Sequence, residues 1–262
     1  MRSIGAACRD VLLTADPLAK VMAARSVARD WRLGRLAPLF DVAMPERPAR
    51  PDAPELLPPN RMPRRGKGGS ERSRIAMLHA LAHIEFVAID LAFDLVGRFG
   101  GAFEAEFTDD WLRVGADEAM HFALLARRLA HLDSHYGALP AHDGLWEAAI
   151  DTAHDPMARL AIVPMVLEAR ALDITPTTIE RFVSVGDQTS ARMLNRILID
   201  EIRHVAMGTK WFKLAANRNG YEPVAQYHLL LSRHFRGMLK PPFNDSARRQ
   251  AGLTREYYAA LA

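Results

Sequence analysis

From Ser70 to the C-terminus, apolar residues recur at the three-to-four-residue spacing of amphipathic helices, and no run alternates with the two-residue period of a strand. The pattern predicts helices over 71–98, 108–133, 144–153, 156–173, 176–184, 188–215, 223–237 and 245–261. Gly100-Gly101, the stretch from Pro140 to Gly144, and Gly186-Asp187 mark turns between them. Asp155-Pro156 and Thr175-Pro176 each read as an N-cap followed by proline at the first helical position. Thr108 reads as another N-cap, with Asp109 and Asp110 in its first turn. Ahead of this region a single helical stretch covers roughly 8–32. It is followed by "PERPARPDAPELLPPNRMPRRGKGG" (45–69), whose Pro, Gly and Arg content predicts an extended arm.

Polar residues interrupt these apolar stripes at informative places. "ADEAMHFALL" (116–125) and "IDEIRHVAMG" (199–208) both carry Asp-Glu-x-x-His. Residues three apart on a helix project from one side, so Glu118 pairs with His121 and Glu201 with His204. Their neighbours on that side are apolar: Trp111, Val114, Phe122 and Leu125 in one helix, Leu194, Ile197, Val205 and Trp211 in the other. Glu85 and Glu168 lie on similarly apolar faces. Buried carboxylates are costly without a partner. Glu85 and Glu118 are 33 residues apart, as are Glu168 and Glu201, and the two pairs are offset by 83. The midpoints fall at Gly101-Ala102 and Ser184-Val185, both predicted turns, so each pair meets across an antiparallel hairpin. The longer link from 118 to 168 leaves room for a crossover.

The expected architecture is therefore all-α: a four-helix bundle with a crossover connection over 70–217. An N-terminal helix and Pro/Arg-rich arm (1–69) and a C-terminal helical extension (218–262) flank it. One Glu from each of two helices and Glu-x-x-His from each of the other two is the carboxylate-bridged dimetal arrangement of ferritin-like bundles. The predicted metal ligands are Glu85, Glu118, His121, Glu168, Glu201 and His204. Four carboxylates offset two divalent cations, and oxygen-rich ligation with two imidazoles suits iron or manganese. Asp117 and Asp200, each four residues before a ligand histidine, are placed as hydrogen-bond partners of the imidazoles, with Arg203 pairing one of them. His79 and His83 lie off the face of Glu85 and are read as helix contacts or partners of the ligands. Pro164, one turn before Glu168, should kink its helix.

These motifs resemble the ferritin-like diiron-carboxylate superfamily, and "DEIRH" is similar to the Asp-Glu-x-Arg-His signature of its oxygen-activating monooxygenases. The stretches "LHALAHIEFVAIDLAFDL", "DDWLRVGADEAMHFALL", "LPAHDGLWEAA", "VLEARALDITP", "DEIRHVAMGTKWF" and "PPFN" resemble a bacterial ferritin-like family of unknown function over nearly the whole chain. A more distant likeness is to MiaE-type tRNA hydroxylases. The resemblance implies two iron ions, Fe/Fe with Mn/Fe as the alternative. The expected function is a non-haem diiron oxidoreductase that activates dioxygen to hydroxylate an organic substrate, using an external electron donor. The alternative is a ferritin-like metal-binding protein for ferroxidase, storage or detoxification, without organic turnover.

Composition narrows this set. A single cysteine, Cys8, excludes an intrachain disulfide and the Cys-rich iron module of rubrerythrins. The five tyrosines (136, 221, 227, 257 and 258) fall outside the predicted ligand helices, against a radical-generating subunit. About 70 residues precede the bundle and about 45 follow it, more than storage cages use. The net charge of +3 is too small to imply nucleic acid. The stretch 61–74 has six basic residues and one acid, but it lacks the aromatics that stack bases, so a solvated linker is preferred to a tRNA contact. The N-terminus does not read as a signal peptide, and no stretch is expected to approach the roughly 20 apolar residues of a membrane helix. A cytoplasmic protein is the default expectation.

Overall fold

The computed structural model describes residues 1–63 and 69–261. Among them every regular element is helical, which agrees with an all-α bundle. Arg64, Arg65 and Lys67 of the basic stretch lie outside the described residues. The chain divides into two compact units, Met1–Trp146 and Glu147–Ala262.

In the first unit the single helix expected over 8–32 is two: α1 (Ile4–Leu12) and α2 (Pro17–Arg32). The break comes from Asp16, whose side chain accepts from Ala19 N (2.7 Å), with Pro17 at the first helical position. This is the same signature that marks Asp155-Pro156. Then α3 (Glu71–Phe99) starts in a Ser70–Ser73 capping box. A turn at Gly100–Ala102 joins it to α4 (Ala105–Ala130). Here α4 begins before Thr108, which is buried inside the helix. Glu104 occupies the N-cap position, and the stacked rings of Phe103 and Phe107 (4.3 Å between centroids) hold the first turn.

Over residues 33–63 the arm after α2 is extended, apart from one 3-10 turn at Pro59–Arg61, and it is tied down at several points as far as Leu57. Backbone bonds join it to α1 (Ile4 N to Ala37 O, 2.9 Å; Ala49 N to Leu12 O, 2.8 Å) and to the loop after α4 (Leu57 N to Ala141 O, 2.8 Å). Its Met44 and Phe40 press on the end of α3: a Cβ at Gly97 would lie 2.3 Å from Met44 Sδ, and one at Gly100 2.3 Å from Phe40 Cε1. Gly100 ends the helix, and both glycines let the arm cross it.

Contrary to expectation, α3 is long and apolar enough to cross a membrane. The segment Glu71–Ala102 contains an 18-residue window of mean hydropathy 1.6. Of that window 67% is buried inside the protein, as in a core helix, and α1 and α4 both pack on α3.

In the second unit, α6 (Pro156–Ile162) starts at an Asp155 cap and follows α5 (Gly144–Asp151), which begins in the first unit. The kink expected at Pro164 is a single wide π-turn, Val163–Glu168. It runs into α7 (Ala169–Ser184), which continues through Pro176 instead of starting there. Proline at 176 leaves the Leu172 carbonyl without its intrahelical donor. Asn244 Nδ2 supplies one at 3.1 Å, so the helix persists. Gly186 (φ +77°) and the Asp187 cap turn the chain into α8 (Gln188–Arg218). Helix α8 approaches the π-turn closely because position 208 is glycine: a Cβ there would lie 2.5 Å from Pro164 Cβ. The unit closes with α9 (Pro223–His234), α10 (Asp245–Gln250) and α11 (Arg255–Tyr258). The helix expected over 245–261 is interrupted at Gly252 (φ +72°). Buried Arg248 holds Asp173 through Nε (2.9 Å) and Nη2 (2.7 Å), tying this end to α7.

A buried ion cluster joins four segments of the first unit. Lys20 of α2 and Arg50 of the arm each donate to one oxygen of Asp90 on α3. Lys20 and Asp90 are both fully buried, and Arg50 also approaches Asp143 (3.8 Å) in the loop after α4. Burial draws the Lys20 pKa down, with Asp90 opposing. Removing Asp90 would strand two cations. We expect Asp90→Ala to cost about 3–5 kcal/mol in chemical denaturation, and Lys20→Met, which leaves Arg50 on the carboxylate, to cost distinctly less. Equal costs would refute this hierarchy.

Candidate metal centre

Three side chains meet inside the first unit. Glu85 projects from α3, and Glu118 and His121 project from successive turns of α4. The α3–α4 hairpin closes at Gly100–Ala102, so positions equidistant from that turn come to the same level. His121 Nδ1 lies 3.3 Å from Glu85 Oε2 and 3.3 Å from Glu118 Oε2. One ligand atom from each residue falls within 4.8 Å of the others, and all three residues are buried.

This cluster is electrostatically demanding. Burial pushes the Glu85 carboxyl well above the usual range, and the neighbouring Glu118 charge pushes it further, while His121 opposes both. Burial lowers the His121 pKa, but hydrogen bonds and charge from Glu118 and Glu85 outweigh it and raise the pKa to about 11. Protons are therefore held where negative charge is crowded. A divalent cation would meet the same need.

The donor set and spacing fit such an ion. Two carboxylates and an imidazole form an oxygen-rich set suited to iron or manganese. Ligands about 2.1 Å from a common ion stand about 3.0–3.4 Å apart at ordinary coordination angles, close to the 3.3 Å found here. The ring nitrogen turned to the carboxylates is Nδ1, which leaves the Nε2 side of His121 for an outer partner.

The second unit holds the other Glu-x-x-His. Glu201 and His204 are buried on α8, with His204 Nδ1 3.3 Å from Glu201 Oε1. The π-turn ends at Glu168, which is half-buried with its Oε2 atom inaccessible to solvent. Helices α7 and α8 pack together.

Of the predicted outer partners, Asp200 is fully buried and accepts from Arg203 and from Arg196 Nε (2.8 Å). Asp117 is half-buried on α4. His79 and His83 anchor the loop after α4. Gly137 N donates to His79 Nε2 (2.9 Å), and His83 Nε2 donates to the His142 carbonyl (3.2 Å). The Tyr136 hydroxyl donates to His83 Nδ1 (2.9 Å), which needs a neutral ring, and burial followed by the Arg50 charge lowers the His83 pKa to about 4. Tyr136 packs on Phe86 (5.3 Å) and Phe122 (5.0 Å), which adjoin Glu85 and His121 in sequence. Tyr136 has no helical periodicity to announce this position; its signal in the sequence is indirect, through the two histidines one turn apart that receive the loop.

No solved structure matches the chain. A Haemophilus influenzae relative, described as "Uncharacterized protein", is 40% identical over 213 residues, which is 79% of this chain and 74% of the relative. The family described as "Protein of unknown function (DUF455)" matches residues 13–259, a span that contains both Glu-x-x-His pairs, Glu85 and Glu168. With nearly its whole length inside that match, the chain belongs to the DUF455 family.

Proposed function

We propose that this protein is a non-haem diiron oxidoreductase that activates dioxygen to hydroxylate an organic substrate. The observation that carries this reading is the buried Glu85–Glu118–His121 cluster, whose crowded carboxylates call for positive charge. In this proposal Glu201, His204 and Glu168 complete a dimetal site in a ferritin-like bundle with a crossover. The support is the repeated Glu-x-x-His and the equal 33-residue spacings. Two irons bound there would supply the redox chemistry of dioxygen reduction.

The chain's own residues supply the rest. Glu85, Glu118, Glu168 and Glu201 would hold and neutralise the ions, and His121 and His204 would complete the ligand set. Asp200, fixed by Arg196 and Arg203, steadies the turn of α8 that carries Glu201 and His204. Apolar residues around Glu85 and Glu118, among them Phe86, Phe122 and Trp111, exclude water. The π-turn before Glu168 widens its helix where a substrate needs room.

Oxygen consumption by the iron-loaded, chemically reduced protein tests the function. Rapid uptake with iron remaining near two per chain supports an oxygenase. Accumulation of many irons per chain would favour storage or detoxification.

Two predictions follow from the ligand set. Because an ion that binds only the folded state stabilises it by mass action, saturating Fe(II) under anaerobic conditions should raise the melting temperature. An unchanged melting temperature would count against a resident metal. Replacing Glu168 separates ligand from scaffold. The cations nearest it in sequence or predicted geometry have other anchors: Arg170 donates to the Lys240 carbonyl (2.5 Å), and Arg203 donates to Asp200. Glu168→Ala should therefore abolish oxygen uptake while leaving chelator-treated protein within about 1 kcal/mol of wild type. A loss of about 3–5 kcal/mol in the chelated variant would show that Glu168 holds a buried cation instead.

A further inference from the structure

We propose that a cleft between α2 and α4 in the first unit binds a nucleoside polyphosphate. The cleft encloses about 860 Å³, within the range of about 300–1,000 Å³ typical of small-molecule sites. Its wall carries four arginines: Arg25, Arg29 and Arg32 from α2, and Arg113 from α4. Positions 25, 29 and 32 fall on one helical face and span about 10 Å along it. A second hollow on α2, of about 690 Å³, is lined by the same three side chains.

These guanidinium groups are poorly compensated. Among the described residues, Arg25, Arg32 and Arg113 make no hydrogen bond or ion pair. Arg29 leans on Asp30 (3.4 Å) and Ser26 Oγ (3.1 Å). The acid in the cleft, Asp109, already accepts from Trp31 Nε1 at 2.6 Å. Several like charges around one concavity repel one another until an anion enters. One carboxylate would satisfy one guanidinium. A chain of phosphates presents several pairs of oxygens, each matched to a guanidinium fork.

Trp31 specifies the other end of the ligand. Its indole is half-buried in the cleft wall, and the bond to Asp109 fixes the ring beside the arginines. A fixed aromatic face next to a phosphate-binding group suits a nucleobase. The chain carries only +3 overall, which favours a small ligand over a nucleic acid.

The site is separate from the candidate metal centre. Asp109, Leu112, Arg113 and Ala116 form the cleft stripe of α4. At about 100° per residue, Glu118 points roughly half a turn away from that stripe. The proposal therefore stands or falls independently of the metal reading.

Calorimetric titration of the protein as purified with ATP, pyrophosphate and a short single-stranded RNA tests it. We expect saturable one-to-one binding of ATP, weakened at least ~10-fold by the double substitution Arg32→Glu with Arg113→Glu. If that variant melts early, the single exposed substitution Arg25→Gln should still weaken binding measurably. Trp31→Leu should weaken ATP but leave pyrophosphate unchanged. Absence of saturation at millimolar ATP, or equal affinity in the arginine variants, would overturn the proposal. Pyrophosphate binding as tightly as ATP would overturn the base assignment to Trp31. RNA binding much more tightly than ATP through the same arginines would replace the small ligand with a nucleic acid.

Discussion

A carboxylate taken out of water has to find positive charge or take up a proton, and both units of this protein are organised around that demand. An uncompensated buried charge costs several kcal/mol, a large fraction of the stability of a typical domain. Helix positions that carry acids on apolar faces can exist only where a partner arrives, from another segment or from a neighbouring turn.

Several buried acids are satisfied by the chain itself. Asp90 receives Lys20 and Arg50, Asp173 receives Arg248, and Asp200 receives Arg196 and Arg203. Each pairing also fastens a segment: the N-terminal helices and arm to α3, the C-terminal helices to α7, successive turns of α8 to one another. Glu85 is different. What surrounds it is a second carboxylate and an imidazole, and its proton affinity rises accordingly. The contrast sets acids neutralised by the chain's own cations apart from a carboxylate pair that shares one imidazole.

Much of this was readable in the sequence because helical periodicity and hairpin symmetry are local and arithmetic. Equal spacing about Gly100–Ala102 brings Glu85 level with Glu118, and the turn is where the midpoint puts it. Helices α3, α4 and α8 follow their apolar stripes to within a few residues. What escaped depends on distant partners. The helix through Pro176 survives because Asn244, far along the chain, takes the freed Leu172 carbonyl. The π-turn at Pro164 depends on a glycine in another helix, Gly208. Lys20 is buried because Asp90, far along the chain, receives it. The break at Asp16-Pro17 was local and carried a recognisable cap, yet the apolar pattern on either side of it masked the signal.

The central claim is that the acids around His121 are there for metal. Elemental analysis of protein purified without added metal, set beside the same analysis of Glu118→Ala, addresses it most directly. The account predicts close to two iron or manganese ions per wild-type chain and a large loss in the variant. Wild-type protein free of transition metal, and remaining so after anaerobic incubation with Fe(II), would contradict it.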